Sequence, residues 1–210
     1  MPHEPRPWRL KEMTPLAVRE RLRDRSTLLV PVGTTEQHGP HLPLGCDTLI
    51  VERLADDLST ASGIPRAPAI EYGVQPPTHP LPGGAALRRK TLHRVMNELI
   101  EAWEEGAGVR EFVILTAQAN DAHLEALSTI RTGTASVVLL DVFGLDFGPL
   151  LASPEPLAHG GELDTSLLLY LAPELVAVEL LSTAALASAT KGERLYKFIL
   201  ERLTQRLLNP

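Results

Sequence analysis

Three side chains that can bind a divalent metal ion lie close together in the first quarter of the chain. Glu36 and His38 are separated by one residue, so in an extended segment their side chains point the same way. Asp47 follows a loop rich in glycine and proline, and such a loop can fold back to bring its carboxylate beside the first pair. Two oxygen ligands and one nitrogen ligand suit Zn, Mn or Fe. A polar loop without a metal ion has the same residue types.

A second group of polar side chains flanks two glycines in the run HGGE, which contains His159 and Glu162. Glycine lets the backbone approach a ligand closely. Glu162 can reach a metal ion, and His159 can act as an acid or base near neutral pH. Alone, Glu162 would be explained more simply as a carboxylate that stabilises a helix N-terminus. Beside the first group, it favours a functional site.

Strand patterns and helix patterns alternate along the chain. Short apolar runs predict buried strands at residues 26–33 and 110–117 and a further strand at 136–144. A less regular run at 64–73 predicts another strand, interrupted by Pro68. Capped or amphipathic segments predict six helices. They are 15–24, 48–60, 91–106, a helix that begins within 118–131, a helix within 158–172, and 191–208.

This alternation predicts a single-domain, three-layer α/β/α fold over residues 1–210, with a mostly parallel sheet and helices on both faces. Ligands bind such folds at the carboxyl ends of the strands. Three polar segments follow predicted strands there, namely Glu36–Asp47, Gln118–Asp121 and His159–Glu162. The position of these segments therefore supports a site independently of any single motif.

Composition excludes several classes of protein. The chain has 210 residues and a net charge of −6, so nothing indicates nucleic acid as its main partner. No apolar run is long enough to span a bilayer, and the N-terminal residues lack the apolar core of a secretory signal. The single cysteine, Cys46, excludes an internal disulfide and fits a reducing cytoplasm. We therefore expect a cytoplasmic protein that does not associate with membranes.

The run PVGTTEQHGPHLPLGCD, residues 31–47, resembles the signature of the creatininase (creatinine amidohydrolase) family. HGGELDTS, residues 159–166, resembles a second family signature, His-Ala-Gly-Glu-x-Glu-Thr-Ser. A third landmark, Asn-Gly-His-Gly-Gly-Asn, is altered here to TAQAND, residues 116–121, so that Gln118 takes the place of a ligand histidine. A fourth, ending in Phe-Pro-Gly-Thr, is weakened in residues 73–87. The resemblance extends from about residue 28 to about residue 171.

The resemblance implies a metal-dependent amidohydrolase that cleaves a C–N amide bond of a small molecule or peptide through a metal-bound hydroxide. Glu36 would bind one metal and His38 the other, Asp47 would bridge them, and Glu162 would complete the site of His38. His159, with Glu162 beside it, would supply acid–base catalysis. The cofactor would be Zn, Mn or Fe, one or two per chain. Family members are usually oligomers, so a homo-oligomer is expected.

Either Gln118 or His123 could be the third ligand of the metal ion that Glu36 and Asp47 would bind. Gln118 falls there when the motif is matched without gaps, but an amide oxygen is a weaker ligand than imidazole for zinc-like metals. A longer loop could bring His123 in instead, although His123 falls naturally on the first turns of a helix. His41 is expected to form hydrogen bonds or line the pocket wall rather than bind metal. His79 is a further possible site residue, expected first on the loop surface or the pocket wall.

The replacement of the family's ligand histidine by Gln118 leaves two alternatives to a two-metal enzyme. The chain could be a non-catalytic relative that keeps the fold and binds a small molecule or a partner protein. It could also be a mononuclear enzyme that uses only His38, Asp47 and Glu162. The number of ionisable groups retained argues against the first alternative, because a protein without catalysis has no physical need for them. Metal content per chain distinguishes all three hypotheses.

Overall fold

Three parallel strands form the sheet of this protein in the computed structural model, which describes residues 6–75, 81–155, 157–181 and 186–208. The strands are β1 (Thr27–Val32), β2 (Glu111–Thr116) and β3 (Ser136–Asp141), hydrogen-bonded in the order β1-β2-β3. The register pairs Leu29 with Val113 and Val113 with Val138. Every residue of β1 is buried, as its continuous apolar run predicts.

Six α-helices accompany the sheet in the described part of the chain. They are α1 (Pro15–Asp24), α2 (Cys46–Ser62), α3 (Arg89–Ala107), α4 (Asp121–Ser128), α5 (Glu162–Leu171) and α6 (Ala189–Leu208). Helix α1 begins where the Thr14-Pro15 pair predicts, because the Thr14 hydroxyl accepts a hydrogen bond from the Ala17 N–H at 3.3 Å. None of the described helices combines the length and the apolar character that crossing a bilayer requires.

The helices cover both faces of the sheet. Side chains from α2, α5 and α6 pack on one face with Leu29, Val113 and Leu115. Side chains from α1, α3 and α4 pack on the other face with Leu28 and Ile114. Because successive strand residues point to opposite faces, both cores are built from the same short strands. The predicted three-layer α/β/α arrangement with a parallel sheet is confirmed.

The strand predicted at residues 64–73 does not form in this structure. The segment makes only isolated bridges to β1, through Arg66 and Ile70. Pro65 and Pro68 lack the N–H that a strand would donate to a ladder, so the segment runs beside β1 as irregular edge structure. The described sheet therefore has three strands rather than the four predicted.

Two helix boundaries decide how the candidate site is arranged. Helix α2 begins at Cys46, two residues before the predicted start, so Asp47 lies in its first turn rather than in the preceding loop. Helix α5 begins at Glu162, so its first turn contains both Glu162 and Asp164. Both helix N-termini lie at the edge of the sheet where β1 and β2 end.

Candidate metal centre

A small cavity lies where the chain leaves the carboxyl ends of β1 and β2. Its volume is about 40 Å³, and its lining includes His38, Asp47, Gln118, His159 and Asp164. A volume of roughly 10–15 Å³ is enough for one water molecule. The cavity can therefore hold a metal ion together with a water molecule.

Asp47 is held at both carboxylate oxygens. Its Oδ2 accepts a hydrogen bond from the Thr34 hydroxyl at 2.6 Å, and its Oδ1 lies 3.0 Å from Nε2 of His38. Both Asp47 and His38 are buried. Burial alone would lower the pKa of His38, but the neighbouring Asp47 carboxylate raises it to about 9. The proton on Nε2 therefore stands where a metal ion would bind the imidazole.

Glu36 lies next to this pair and is completely buried. Burial, together with the negative charge of Asp47, raises the pKa of Glu36 to about 7. The Gln118 amide nitrogen donates to Oε1 of Glu36 and, at 3.2 Å, to Oδ2 of Asp47. The structure thus brings Glu36, His38, Asp47 and Gln118 together, as the sequence predicts.

Asp164 is a further member of the site, which the sequence analysis missed. It is buried, and its Oδ2 accepts a hydrogen bond from the Gly160 N–H at 2.8 Å. Burial raises the pKa of Asp164 to about 6, with a further contribution from Asp47. The signal that could have found it is the second acidic residue of HGGELDTS, which matches the second Glu of the family signature.

Glu162 does not join this cluster. Its carboxylate accepts hydrogen bonds from the backbone N–H groups of Ala152 and Ser153, at 2.9 and 2.7 Å, and pairs with Lys191. Burial alone would raise the pKa of Glu162, but Lys191 and these N–H groups lower it. Its contacts tie the segment before His159 to α5 and α6, which is a structural arrangement rather than that of an open metal ligand.

His159 lies at the rim of the cavity and is exposed to solvent. Its ring stacks on that of His38, with centroids 4.1 Å apart, and its Nε2–H donates to the Gln37 carbonyl oxygen. One potential ligand atom from each of Glu36, His38 and His159 lies within 4.8 Å of the others. His159 is thus placed to exchange protons with both the site and solvent.

His123 is not directed into the cavity. Its Nδ1 accepts a hydrogen bond from the Val74 N–H, and its Nε2 bonds the Thr116 hydroxyl, both at 3.1 Å. Burial lowers the pKa of His123 to about 4, so the ring is neutral. Gln118, and not His123, therefore lies beside Glu36 and Asp47. His41 is buried and bonds the Thr165 hydroxyl at 2.9 Å, whereas His79 lies outside the described residues.

The chemistry of this donor set fits a divalent cation. The buried carboxylates of Asp47 and Asp164 line one small cavity, and the buried carboxylate of Glu36 is joined to Asp47 through the Gln118 amide. No lysine or arginine is found among the described residues that line it. Buried carboxylates are normally paired with a cation or bound to a metal, because an isolated buried charge is costly. The sulfur of Cys46 lies within 4.8 Å of ligand atoms of His38 and Asp47, and burial and the nearby carboxylates raise the pKa of its thiol well above the usual value.

The fold and the site together define an α/β protein with a cluster of potential metal ligands at the carboxyl ends of parallel strands. Residues 11–185 match the family model described as "Creatininase: Creatinine amidohydrolase", and the chain belongs to this family. The resemblance carried by the two signatures is thereby confirmed. Members of the family are hydrolases.

Two curated relatives are hydrolases with different names. The chain is 34% identical over 170 residues to the mycofactocin precursor peptide peptidase of Mycolicibacterium smegmatis, covering 76% of this chain and 65% of that protein. It is 27% identical over 175 residues to the 3-dehydro-scyllo-inosose hydrolase of Thermotoga maritima, covering 78% of this chain and 56% of that protein. The chain thus spans less than two-thirds of the length of these relatives.

Solved structures show the same fold. A structure described as "Creatininase Mn" superposes with a TM-score of 0.84 at 21% identity, covering 97% of this chain and 100% of that chain. A variant creatininase of "Zn-Zn type" gives a TM-score of 0.83 at 21% identity, with coverage of 97% and 99%. The architecture is therefore shared despite low identity.

Proposed function

We propose that this protein is a metal-dependent amidohydrolase that cleaves a C–N amide bond in a small molecule or a short peptide. The observation that carries the proposal is the group of buried carboxylates beside His38, around a cavity that no described lysine or arginine lines. Membership in a family of hydrolases supports the reaction class. The similarity to a peptide peptidase supports an amide as the bond cleaved.

In this proposal the ion would be held by Nε2 of His38 and the carboxylate of Asp47, which lie within 4.8 Å of each other. Asp164, which lines the same cavity but lies outside that group, would supply a further carboxylate. Asp164 replaces Glu162, whose carboxylate is engaged by Lys191 and the backbone. Zn, Mn or Fe suits one imidazole and two carboxylates, and the Mn and Zn forms of creatininase support the first two. When bound, such an ion would polarise an amide carbonyl and lower the pKa of a water molecule.

His159 is the acid–base residue of the proposal. Its exposed ring lies against that of His38 and lines the cavity, so it would be within reach of an amide bound there. An imidazole there can pass a proton to the leaving nitrogen near neutral pH. The Gln37 carbonyl, which accepts from Nε2–H, fixes the orientation of the ring.

The first experiment measures metal content per chain, on protein purified without chelator or affinity nickel. Hydrolysis of cyclic amides, formyl amides and short peptides is then screened. Asp47→Ala should lose both metal and activity, whereas Asp121→Asn should keep them, because Asp121 is exposed and does not line the cavity. No metal after incubation with Zn, Mn and Fe would overturn the proposal and leave a non-catalytic binding protein on this fold.

We further propose that residues 1–210 form one domain, which acts as a homo-oligomer in the cytoplasm. A buried, unpaired Cys46 supports a reducing compartment. Exposed apolar side chains, including Leu175, Val178 and Leu180, support association between copies. Light scattering of the purified protein tests the oligomeric state, and a monomer at all concentrations would contradict it.

A further inference from the structure

The side-chain amide of Gln118 fills the space between two carboxylates. Its nitrogen donates to Oε1 of Glu36 and to Oδ2 of Asp47, and its oxygen accepts from the Asn120 N–H at 2.9 Å. Only 7% of Gln118 is exposed. The amide is therefore fixed at both ends, with its donor group directed at negative charge.

An amide nitrogen in this position acts as a neutral substitute for a cation. Its two N–H groups satisfy carboxylate oxygens, but it has no lone pair to offer a metal ion. Rotating the amide would direct its oxygen at Glu36 and Asp47. It would also set the NH₂ group against the Asn120 N–H, so that buried donors would lose their acceptors.

The other carboxylate oxygen of Asp47, Oδ1, faces His38 rather than Gln118. Between Oδ1 of Asp47 and Nε2 of His38 lies only a hydrogen bond of 3.0 Å, formed by a single proton with no side chain interposed. A metal ion can replace that proton. It cannot replace the Gln118 amide without moving a covalently attached side chain.

We propose that this chain binds one divalent ion, at His38, Asp47 and Asp164, and that the Gln118 amide permanently occupies a second position between Glu36 and Asp47. The inference rests on the proposed function, which supplies the ion. It goes further by assigning one ion per chain, and by assigning Gln118 the role of filling a position rather than binding a metal.

The test measures Zn²⁺ and Mn²⁺ per chain by elemental analysis after dialysis, together with calorimetric titration of the metal-free protein. Wild type is expected to bind one ion. Gln118→His replaces the amide by an imidazole, which can bind a metal, and is expected to bind two. Gln118→Ala removes the amide and is expected to show a second, weaker site. Gln205→His, on the exposed surface of α6, adds an imidazole elsewhere and should bind one.

The outcomes separate this inference from the proposed function. Two ions in wild type would overturn the inference while leaving the hydrolase proposal intact. One ion in wild type and in both Gln118 variants would also overturn it, because removing the amide would then open no position. No ion in any of the proteins would overturn the proposed function and the inference together. Thermal unfolding of each variant shows that the chain being titrated is folded.

Discussion

The imidazole of His159 stacks on that of His38, with planes inclined by 29°, although one ring is exposed and the other buried. The contact joins the two polar segments that the sequence separates by more than a hundred residues. Gly160 makes this approach possible: a Cβ atom there would lie 2.4 Å from the His38 carbonyl oxygen. Its φ of 67° also lies in the left-handed region, which glycine adopts without strain.

Gly160→Ala should therefore destabilise the protein. The left-handed backbone and the clash with the His38 carbonyl together should cost about 2 kcal/mol or more, which lowers Tm by about 4 °C or more for a chain of this size. Gly106→Ala is the matched control, because a Cβ at Gly106 meets nothing within 4 Å and this glycine lies in helix α3. It should stabilise by up to about 1 kcal/mol. Equal Tm values for both variants would contradict the close contact.

Asp164→Asn should weaken metal binding strongly while keeping the side-chain volume. Loss of one charged ligand should reduce affinity by at least about 100-fold, since even residues that only orient ligands contribute 10–100-fold. Glu162→Gln makes the same chemical change two residues away and should leave affinity within a few-fold. Calorimetric titration with Zn²⁺ measures both. If Glu162→Gln lost affinity and Asp164→Asn kept it, Glu162 would be the metal ligand, as the family resemblance implies.

His159→Gln should lower kcat by roughly 10²–10⁴-fold, because proton transfer to the leaving nitrogen is lost. Metal content and KM should change little. His93→Gln is the control, since His93 lies on α3 outside the cavity and bonds the Thr129 carbonyl at 2.9 Å. Loss of metal from the His159 variant would instead identify His159 as a ligand. Activity equal to that of wild type would remove His159 from the mechanism.

The metal-free protein should become less stable as pH rises from 7 to 9. The folded-state pKa of His38, about 9, exceeds the ordinary value of 6.5, so the folded protein binds more protons than the unfolded chain in this window. The stabilisation is fully present below the unfolded pKa and disappears as pH passes the folded one. The free energy of unfolding, measured with urea, should therefore fall by about 2 kcal/mol between pH 7 and pH 9. His38→Gln should remove this slope, and an unchanged slope in that variant would assign it to other groups.

Much of the architecture could be predicted from the sequence alone. The apolar runs of β1, β2 and β3 and the helix signals around them are local patterns, and together they predict the three-layer fold. The spacing of Glu36 and His38, the loop to Asp47 and the strand end before Gln118 were likewise sufficient to predict that these residues meet. Parallel strands place their carboxyl ends at one edge of a sheet, so the topology decides this convergence.

The positions of the other side chains around the cavity depend on how the helices and strands pack together. Glu162 and Asp164 are two residues apart on α5, so their side chains point about 200° apart around the helix and only one can face the cavity. Which one does depends on how α5 packs against α2 and α6. His123 does not face the cavity because the Val74 N–H, 49 residues away in the chain, and the Thr116 hydroxyl, at the end of β2, engage its two ring nitrogens. Such choices depend on contacts between elements, which local sequence patterns do not encode.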